Sequence, residues 1–126
     1  MRGRTGVVLL LCLLVCSGCG RKKATDALIA DLRSSEEHDR IIAARLLQQR
    51  KGDAAQVVPA LIGALKDKAS DVRWSAAIGL GYFGEKARDA IPALQEAQHD
   101  RDARVREAAG VALSRIAGLA KEDRKR

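Results

Sequence analysis

Aspartate and arginine recur at a fixed spacing, and such pairs are the first residues to consider for acid–base catalysis. Asp67 precedes Arg73 by six positions, and Asp100 precedes Arg106 by the same interval. A carboxylate beside a guanidinium can take part in proton transfer, but a single catalytic site does not explain why the pair occurs twice. The repetition instead predicts a structural ladder, in which Asp–Arg bonds connect successive turns of a repeated fold.

The two histidines, His38 and His99, are the other candidates for metal binding or proton transfer. Neither has a second histidine or a cysteine at the spacing that a metal site requires. The sequence also contains no Gly-rich phosphate loop, paired-carboxylate arrangement or Ser–His–Asp set that stands out. We therefore expect no catalysis, no cofactor and no bound metal.

Three large side chains, Trp74, Ile78 and Tyr82, are spaced i, i+4 and i+8 and therefore share one face of a helix. An exposed aromatic stripe of this kind is a candidate anchor for a protein partner. The alternative is that Trp74 fills a local groove between helices or is covered by the leading segment.

A second candidate surface is polar and of mixed charge, which favours a protein partner over a polyanion. We expect it on the second helix of each repeat, because solenoids usually bind on the concave side that those helices are expected to line. Its members are Gln56, Arg88, Asp89 and Gln95.

The N-terminal segment 1–18 has the three zones of an export signal. Two arginines make a positive start, residues 6–16 are apolar, and small residues precede Cys19. The apolar stretch is shorter than the roughly 18 residues that a spanning helix needs. Ser17-Gly18-Cys19 resembles a bacterial lipoprotein signal, with one departure at Cys16, where that family prefers an aliphatic residue.

This resemblance implies cleavage before Cys19, lipidation of its thiol and a location on the periplasmic side of a bacterial envelope. Gly20 stands where the family's inner-membrane retention signal has Asp, which favours the outer membrane in a Gram-negative organism. The alternative is an ordinary secretory signal that leaves a free thiol. The predicted segments are a signal peptide (1–18), a lipidated cysteine and basic linker (19–24), a repeat domain (25–118) and a charged flexible tail (119–126).

One constant offset superimposes the middle of the chain on its end. It aligns Pro59 with Pro92, Leu61 with Leu94, Asp67 with Asp100, Val72 with Val105, Arg73 with Arg106 and Leu80 with Leu113. A second shift by the same interval reaches Leu28, Arg40 and Leu47. The interval, about 33 residues, is typical of stacked helical repeats.

The repeated order of proline, aspartate and Val-Arg resembles the HEAT-like repeat family, in particular its phycobilisome-lyase type. The resemblance covers about residues 24–118. It implies an all-α fold, a short right-handed α-solenoid of helical hairpins that repeat at this interval. It also implies that Asp67, Arg73, Asp100 and Arg106 form the structural ladder.

Helical periodicity and capping residues predict the individual helices. An incomplete leading helix is expected over 25–33 and a closing helix over 103–117. Between them lie two predicted pairs, 36–50 with 53–66 and 71–83 with 85–98. Pro92 is expected either to bend the last of these helices or to mark its irregular start.

Taken together, these features predict a lipid-anchored, non-catalytic scaffold or adaptor that holds an unknown protein partner at the bacterial envelope. Two alternatives remain open: an accessory subunit or chromophore-lyase-like enzyme component, and a purely structural envelope protein. Much of the net charge of +7 lies near the ends, and the mixed signs of the repeat body argue against nucleic-acid binding. Exposed apolar ends of so short a stack would also allow a homodimer.

Overall fold

The computed structural model describes residues 23–123, and every regular element within them is helical. The α-helices are α1 (Thr25–Asp31), α2 (Glu37–Leu47), α3 (Ala54–Ala64), α4 (Ser70–Phe83), α5 (Ile91–Ala97) and α6 (Ala103–Asp123). Two 3₁₀ helices, Lys51–Asp53 and Gly84–Ala90, precede α3 and α5. None of the helices in this region is long and apolar enough to span a membrane.

Several predicted features lie outside the described residues. These are the signal peptide, Cys19, the linker as far as Lys22 and the end of the predicted tail from Arg124 onwards.

The helices form three hairpins that stack in two layers. Close packing pairs α1 with α2, α3 with α4 and α5 with α6, and within one layer α4 packs directly on both α2 and α6. The leading helix α1 is therefore half of a complete hairpin with α2. The hairpins are shifted by one helix from the predicted pairs 36–50 with 53–66 and 71–83 with 85–98. The result is the all-α, short right-handed α-solenoid that the repeat predicts.

Residues separated by one repeat occupy equivalent positions in the core. Leu28 is 1% exposed, and its counterparts Leu61 and Leu94 are fully buried. Each such leucine contributes about 1.5–3 kcal/mol relative to an exposed one. Leu80 is fully buried as well, whereas its counterpart Leu113 is only half-buried, because no further hairpin covers it among the described residues.

The segment before α5 differs from the continuous helix predicted over 85–98. Gly84 has a φ of 55°, which favours glycine. Ala87 has non-helical angles within the 3₁₀ helix, and the α-helix begins only at Ile91, so that Pro92 lies in its first turn. Its missing N–H costs no hydrogen bond there. Pro92 thus marks an irregular start, whereas Pro59 lies inside α3.

The last helix is longer than expected from the sequence. Helix α6 continues to Asp123, past residue 117 and into the segment predicted to be a flexible tail. Gly118 lies within it, and a helical glycine costs only about 1 kcal/mol relative to alanine. One glycine therefore does not end a helix of this length.

Candidate protein-binding groove

A groove of about 430 Å³ runs between α4 and α6. Its volume lies in the range of about 300–1,000 Å³ that is typical of ligand sites. The residues that line it are Trp74, Ala77, Ile78, Gly81 and Tyr82 from α4, and Arg104, Glu107, Ala108, Val111, Ala112 and Arg115 from α6.

Small residues form the floor of the groove. Ala77, Ala108 and Ala112 are buried between the helices, and Gly81 faces Ala112. A Cβ atom built on Gly81 would lie 3.2 Å from the Cα atom of Ala112, which is tighter than ordinary van der Waals contact. Glycine at this position therefore lets α4 and α6 approach closely, and the larger side chains stand on either side.

The walls of the groove are apolar and partly exposed. Trp74 and Ile78 are half-buried and Tyr82 is 52% exposed on α4, while Val111 is 47% exposed on α6. The structure thus brings the three residues of the predicted stripe together on one wall. Trp74 packs against the core and also lines the groove, so that it is neither fully exposed nor fully covered.

Arg104 forms an ion-pair network at the end of the groove where α4 and α6 begin. Its Nη2 atom lies 2.8 Å from Oδ1 of Asp71 and 3.1 Å from Oδ2 of Asp102. The hydrogen bonds that Arg104 donates, from its side chain first and then from its backbone N–H, lower the pKa of Asp102 to about 2. Two carboxylates therefore balance the charge of Arg104 inside the protein.

Two other charged residues of the groove have no ion pair within residues 23–118. Arg115 lies over the ring of Tyr82, with its Cζ atom 5.3 Å from the ring centroid, a cation–π arrangement. Glu107 is exposed on the same helix, two turns before Arg115. No ion pair in this part of the chain involves either side chain.

The Asp–Arg residues form a ladder between the hairpins. Nε and Nη2 of Arg40 donate to the Asp67 carboxylate at 2.9 and 3.1 Å, and the same atoms of Arg73 donate to Asp100 at 2.9 and 3.0 Å. Such two-bond arginine–carboxylate pairs are stronger than neutral hydrogen bonds. The bonds from Arg73 hold the pKa of Asp100 below its usual value.

The ladder differs in its pairing from the Asp67/Arg73 and Asp100/Arg106 pairs in the sequence. Arg73 donates from Nη1 to the backbone carbonyls of Asp67 and Lys68, while the Asp67 carboxylate binds Arg40 in the preceding hairpin. The carboxylate partners are therefore 27 residues apart, not six. Within the described part of the chain, the Arg106 guanidinium donates only to the backbone carbonyls of Asp100 and Arg101.

Comparisons with known proteins agree with this architecture. A family model described as HEAT repeats matches residues 25–116. This chain belongs to the HEAT-repeat family. No curated protein sequence matches it.

Among solved structures, the HEAT-repeat chain is similar to one from Nostoc sp. PCC7120, in the complex of CpcE and CpcF of phycocyanin lyase. The two chains are 33% identical and superimpose with a TM-score of 0.70. The match covers 77% of this chain but only 38% of the other. The present chain thus corresponds to well under half of that neighbour's length.

The polar candidates of this HEAT-repeat protein lie away from the groove. Gln56 is on α3, Arg88 and Asp89 are in the 3₁₀ helix Gly84–Ala90, and Gln95 is on α5. All four are exposed, and Arg88 forms an ion pair with Glu85 at 3.1 Å. Gln56 and Gln95 thus lie on the first helix of their hairpins, not on the second as expected, and the structure brings none of the four residues into the groove lining.

Sequence reasoning did not select the α6 wall as a site. Glu107, Val111 and Arg115 stand one repeat after Trp74, Ile78 and Tyr82. Because equivalent residues of adjacent HEAT repeats lie side by side, the period itself was the signal that could have found them.

Proposed function

We propose that this HEAT-repeat protein is a binding component of a larger assembly and holds a segment of a partner protein in the α4–α6 groove. The proposal rests mainly on two large apolar side chains that stay exposed to water on opposite walls of the groove. These are Tyr82, which is 52% exposed, and Val111, which is 47% exposed. Burial of such surface contributes about 25 cal/mol per Å², and aromatic residues are frequent hot spots of protein interfaces. In this role the chain itself carries out no catalysis.

The likeness to the phycocyanin lyase complex supports an accessory role within an enzyme assembly. The similar chain belongs to a complex of two proteins, CpcE and CpcF. A second candidate function is therefore an accessory subunit or chromophore-lyase-like component. At 33% identity, this likeness favours a subunit of such an assembly over a free-standing scaffold.

Absorbance spectroscopy separates a chromophore-handling component from a pure protein binder. The purified protein would be incubated with a bilin and passed through a desalting column. A visible absorption band that elutes with the protein would favour the lyase-like function. Elution without such a band would favour protein binding alone.

We also propose that the chain acts at the bacterial envelope, tethered through Cys19. The support is the lipoprotein-like order of a positive start, an apolar stretch and Ser17-Gly18-Cys19. Mass spectrometry of the mature protein should give a chain that begins at Cys19 and carries acyl groups, and Cys19→Ser should abolish them. A mature chain that begins with an unmodified Cys19 thiol would contradict the tether and favour a plain secretory signal.

Affinity capture with matched variants tests the groove as the binding surface. Val111→Asp and Tyr82→Ala alter exposed groove residues, so the fold should survive, which circular dichroism verifies. Glu96→Ala alters an exposed residue on α5 that belongs to neither candidate surface and serves as the control. The groove variants should lose a partner that the wild-type and control proteins retain. A partner set unchanged by the groove variants would contradict the proposal.

A further inference from the structure

We propose that the partner segment is an amphipathic α-helix that lies antiparallel to α4 and α6, with its acidic N-terminal end beside Arg115 and a basic C-terminal end beside Glu107. This inference rests on the proposed function, because it takes the groove as the binding surface. It adds the secondary structure, the direction and the charge order of the partner.

The two ends of the groove carry opposite charges that a partner can reach. Near the start of α4 and α6, Arg104 is already bound to Asp71 and Asp102, so among residues 23–118 the charge left to a partner there is the carboxylate of Glu107. Near the other end, the charge that these residues leave to a partner is the guanidinium of Arg115 above Tyr82. Two turns of helix, about 12 Å along the axis, separate the two. A complementary segment must therefore present a cation at one end and an anion at the other.

The wall between these charges favours a helix over an extended peptide. Trp74, Ile78, Tyr82 and Val111 offer mainly apolar surface, and the backbone groups of α4 and α6 are occupied within their own helices. An extended segment would bury peptide groups without partners, which costs free energy for each group. A helix satisfies its own backbone, and two turns of it span the distance between Glu107 and Arg115.

Helix dipoles determine the direction. A helix is stabilised by acidic residues in its first turn and by basic residues in its last. Such a helix matches the charges of the groove only if its N-terminus lies at Arg115 and its C-terminus at Glu107. This places its dipole antiparallel to those of α4 and α6, which is the favourable relative orientation.

A partner of different sequence fits the groove better than a second copy of this chain. The full sequence has a net charge of +7, and the chain stays clearly positive without segment 1–18, which contributes only Arg2 and Arg4, so that two copies repel one another as they approach. The partner helix, in contrast, need only be neutral or acidic overall with the charge order described above.

The sole tryptophan of the chain lines the groove, so its fluorescence reports on occupancy directly. The probes are two stapled peptides of about four helical turns each, without Trp or Tyr and with the same leucine stripe, glutamates in the first turn and lysines in the last. One carries a quencher of Trp fluorescence at its N-terminal end, and the other carries it at its C-terminal end. The staple holds both peptides helical, so that only the position of the quencher differs.

Trp74 lies in the second turn of α4, at the end of the groove where α4 and α6 begin. The antiparallel helix should therefore bring the C-terminal quencher close to Trp74, so that the C-terminally labelled peptide quenches its fluorescence more strongly at saturation than the N-terminally labelled one. In the double variant Glu107→Lys/Arg115→Glu the peptide should turn around and this order should reverse. A charge swap away from the groove, Glu96→Lys/Arg101→Glu, should leave the order unchanged.

Several results would overturn the inference. These are equal quenching by the two peptides, stronger quenching by the N-terminally labelled peptide, and a Trp74 emission shift that follows protein concentration alone, as a second copy in the groove would produce. Absence of any peptide binding would also overturn it. If the groove variants still lost their captured partner, the proposed function would stand. If no peptide bound and the groove variants also kept their captured partner, both the helix inference and the proposed function would fail.

Discussion

Arg73 connects two hairpins through a single side chain. It is only 5% exposed, and it donates to the Asp100 carboxylate and to two backbone carbonyls. Without the Arg73 side chain, the Asp100 carboxylate and the two carbonyl oxygens lose this donor while they remain largely shielded from water. We expect Arg73→Ala to lower the free energy of unfolding by about 2–4 kcal/mol, measured by urea denaturation.

Arg106 is the matched control for this change, because it is the same residue one repeat later. It is exposed and binds carbonyls but no carboxylate in the described part of the chain. Arg106→Ala should therefore cost clearly less than Arg73→Ala. Equal losses of unfolding free energy in the two variants would contradict a stabilising role for the Arg73–Asp100 ion pair.

The acidic residues of the loops make stability depend on pH. Arginine hydrogen bonds hold the pKa of Asp100 below its usual value and that of Asp102 at about 2. In the unfolded chain both pKa values return to about 3.9. The ionised forms therefore stabilise the fold above about pH 4, and this contribution is lost as the pH falls towards 2.

The corresponding measurement is the free energy of unfolding between pH 7 and pH 2. The wild-type protein should lose stability below about pH 4, and Asp100→Asn should lose less over the same range because one titrating group is gone. The variant should be less stable than wild type at pH 7. A wild-type stability that does not fall between pH 4 and pH 2 would count against the ladder.

At the scale of the elements, the separation of α4 and α6 depends on Gly81. Alanine would favour the helix by about 1 kcal/mol, but its Cβ atom would lie 3.2 Å from Cα and 3.3 Å from Cβ of Ala112. Because both neighbouring atoms belong to a packed helix, we expect a net loss of about 1–2 kcal/mol in the free energy of unfolding. Thermal denaturation followed by circular dichroism measures it.

Gly63 on α3 provides the control, since a Cβ atom there meets nothing within 4 Å. Gly63→Ala should raise the melting temperature through helix propensity alone. If Gly81→Ala were also stabilising, glycine at position 81 would not be needed for the close approach of α4 and α6.

Sequence reasoning located the helices where periodicity and caps agree, and it was less accurate where glycine and proline interrupt the pattern. The helix expected over 71–83 is observed as Ser70–Phe83. The segment over 85–98 instead divides into a 3₁₀ helix and a short α-helix. Gly84 with its positive φ and Pro92 in the first turn of α5 show the reason, because each changes the backbone in a way that hydrophobic spacing does not record.

At the scale of the whole molecule, the repeat predicted the fold but only half of the candidate site. The constant offset aligned Leu28, Leu61 and Leu94, and all three are buried. The Trp74 stripe was visible because it lies on one helix. The opposite wall and the ladder partner Arg40 depend on how neighbouring hairpins are placed, which a local pattern does not give.

Site-specific photocrosslinking in intact cells tests most directly whether a partner protein binds in the α4–α6 groove. A benzophenone amino acid would replace Val111 in the groove or, for comparison, Gln95 on the polar candidate surface, in the full-length chain. We expect Val111 to crosslink to one defined segment of one protein and Gln95 to give no such crosslink. Crosslinks from Gln95 alone, or the same partners from both positions, would contradict binding in the groove.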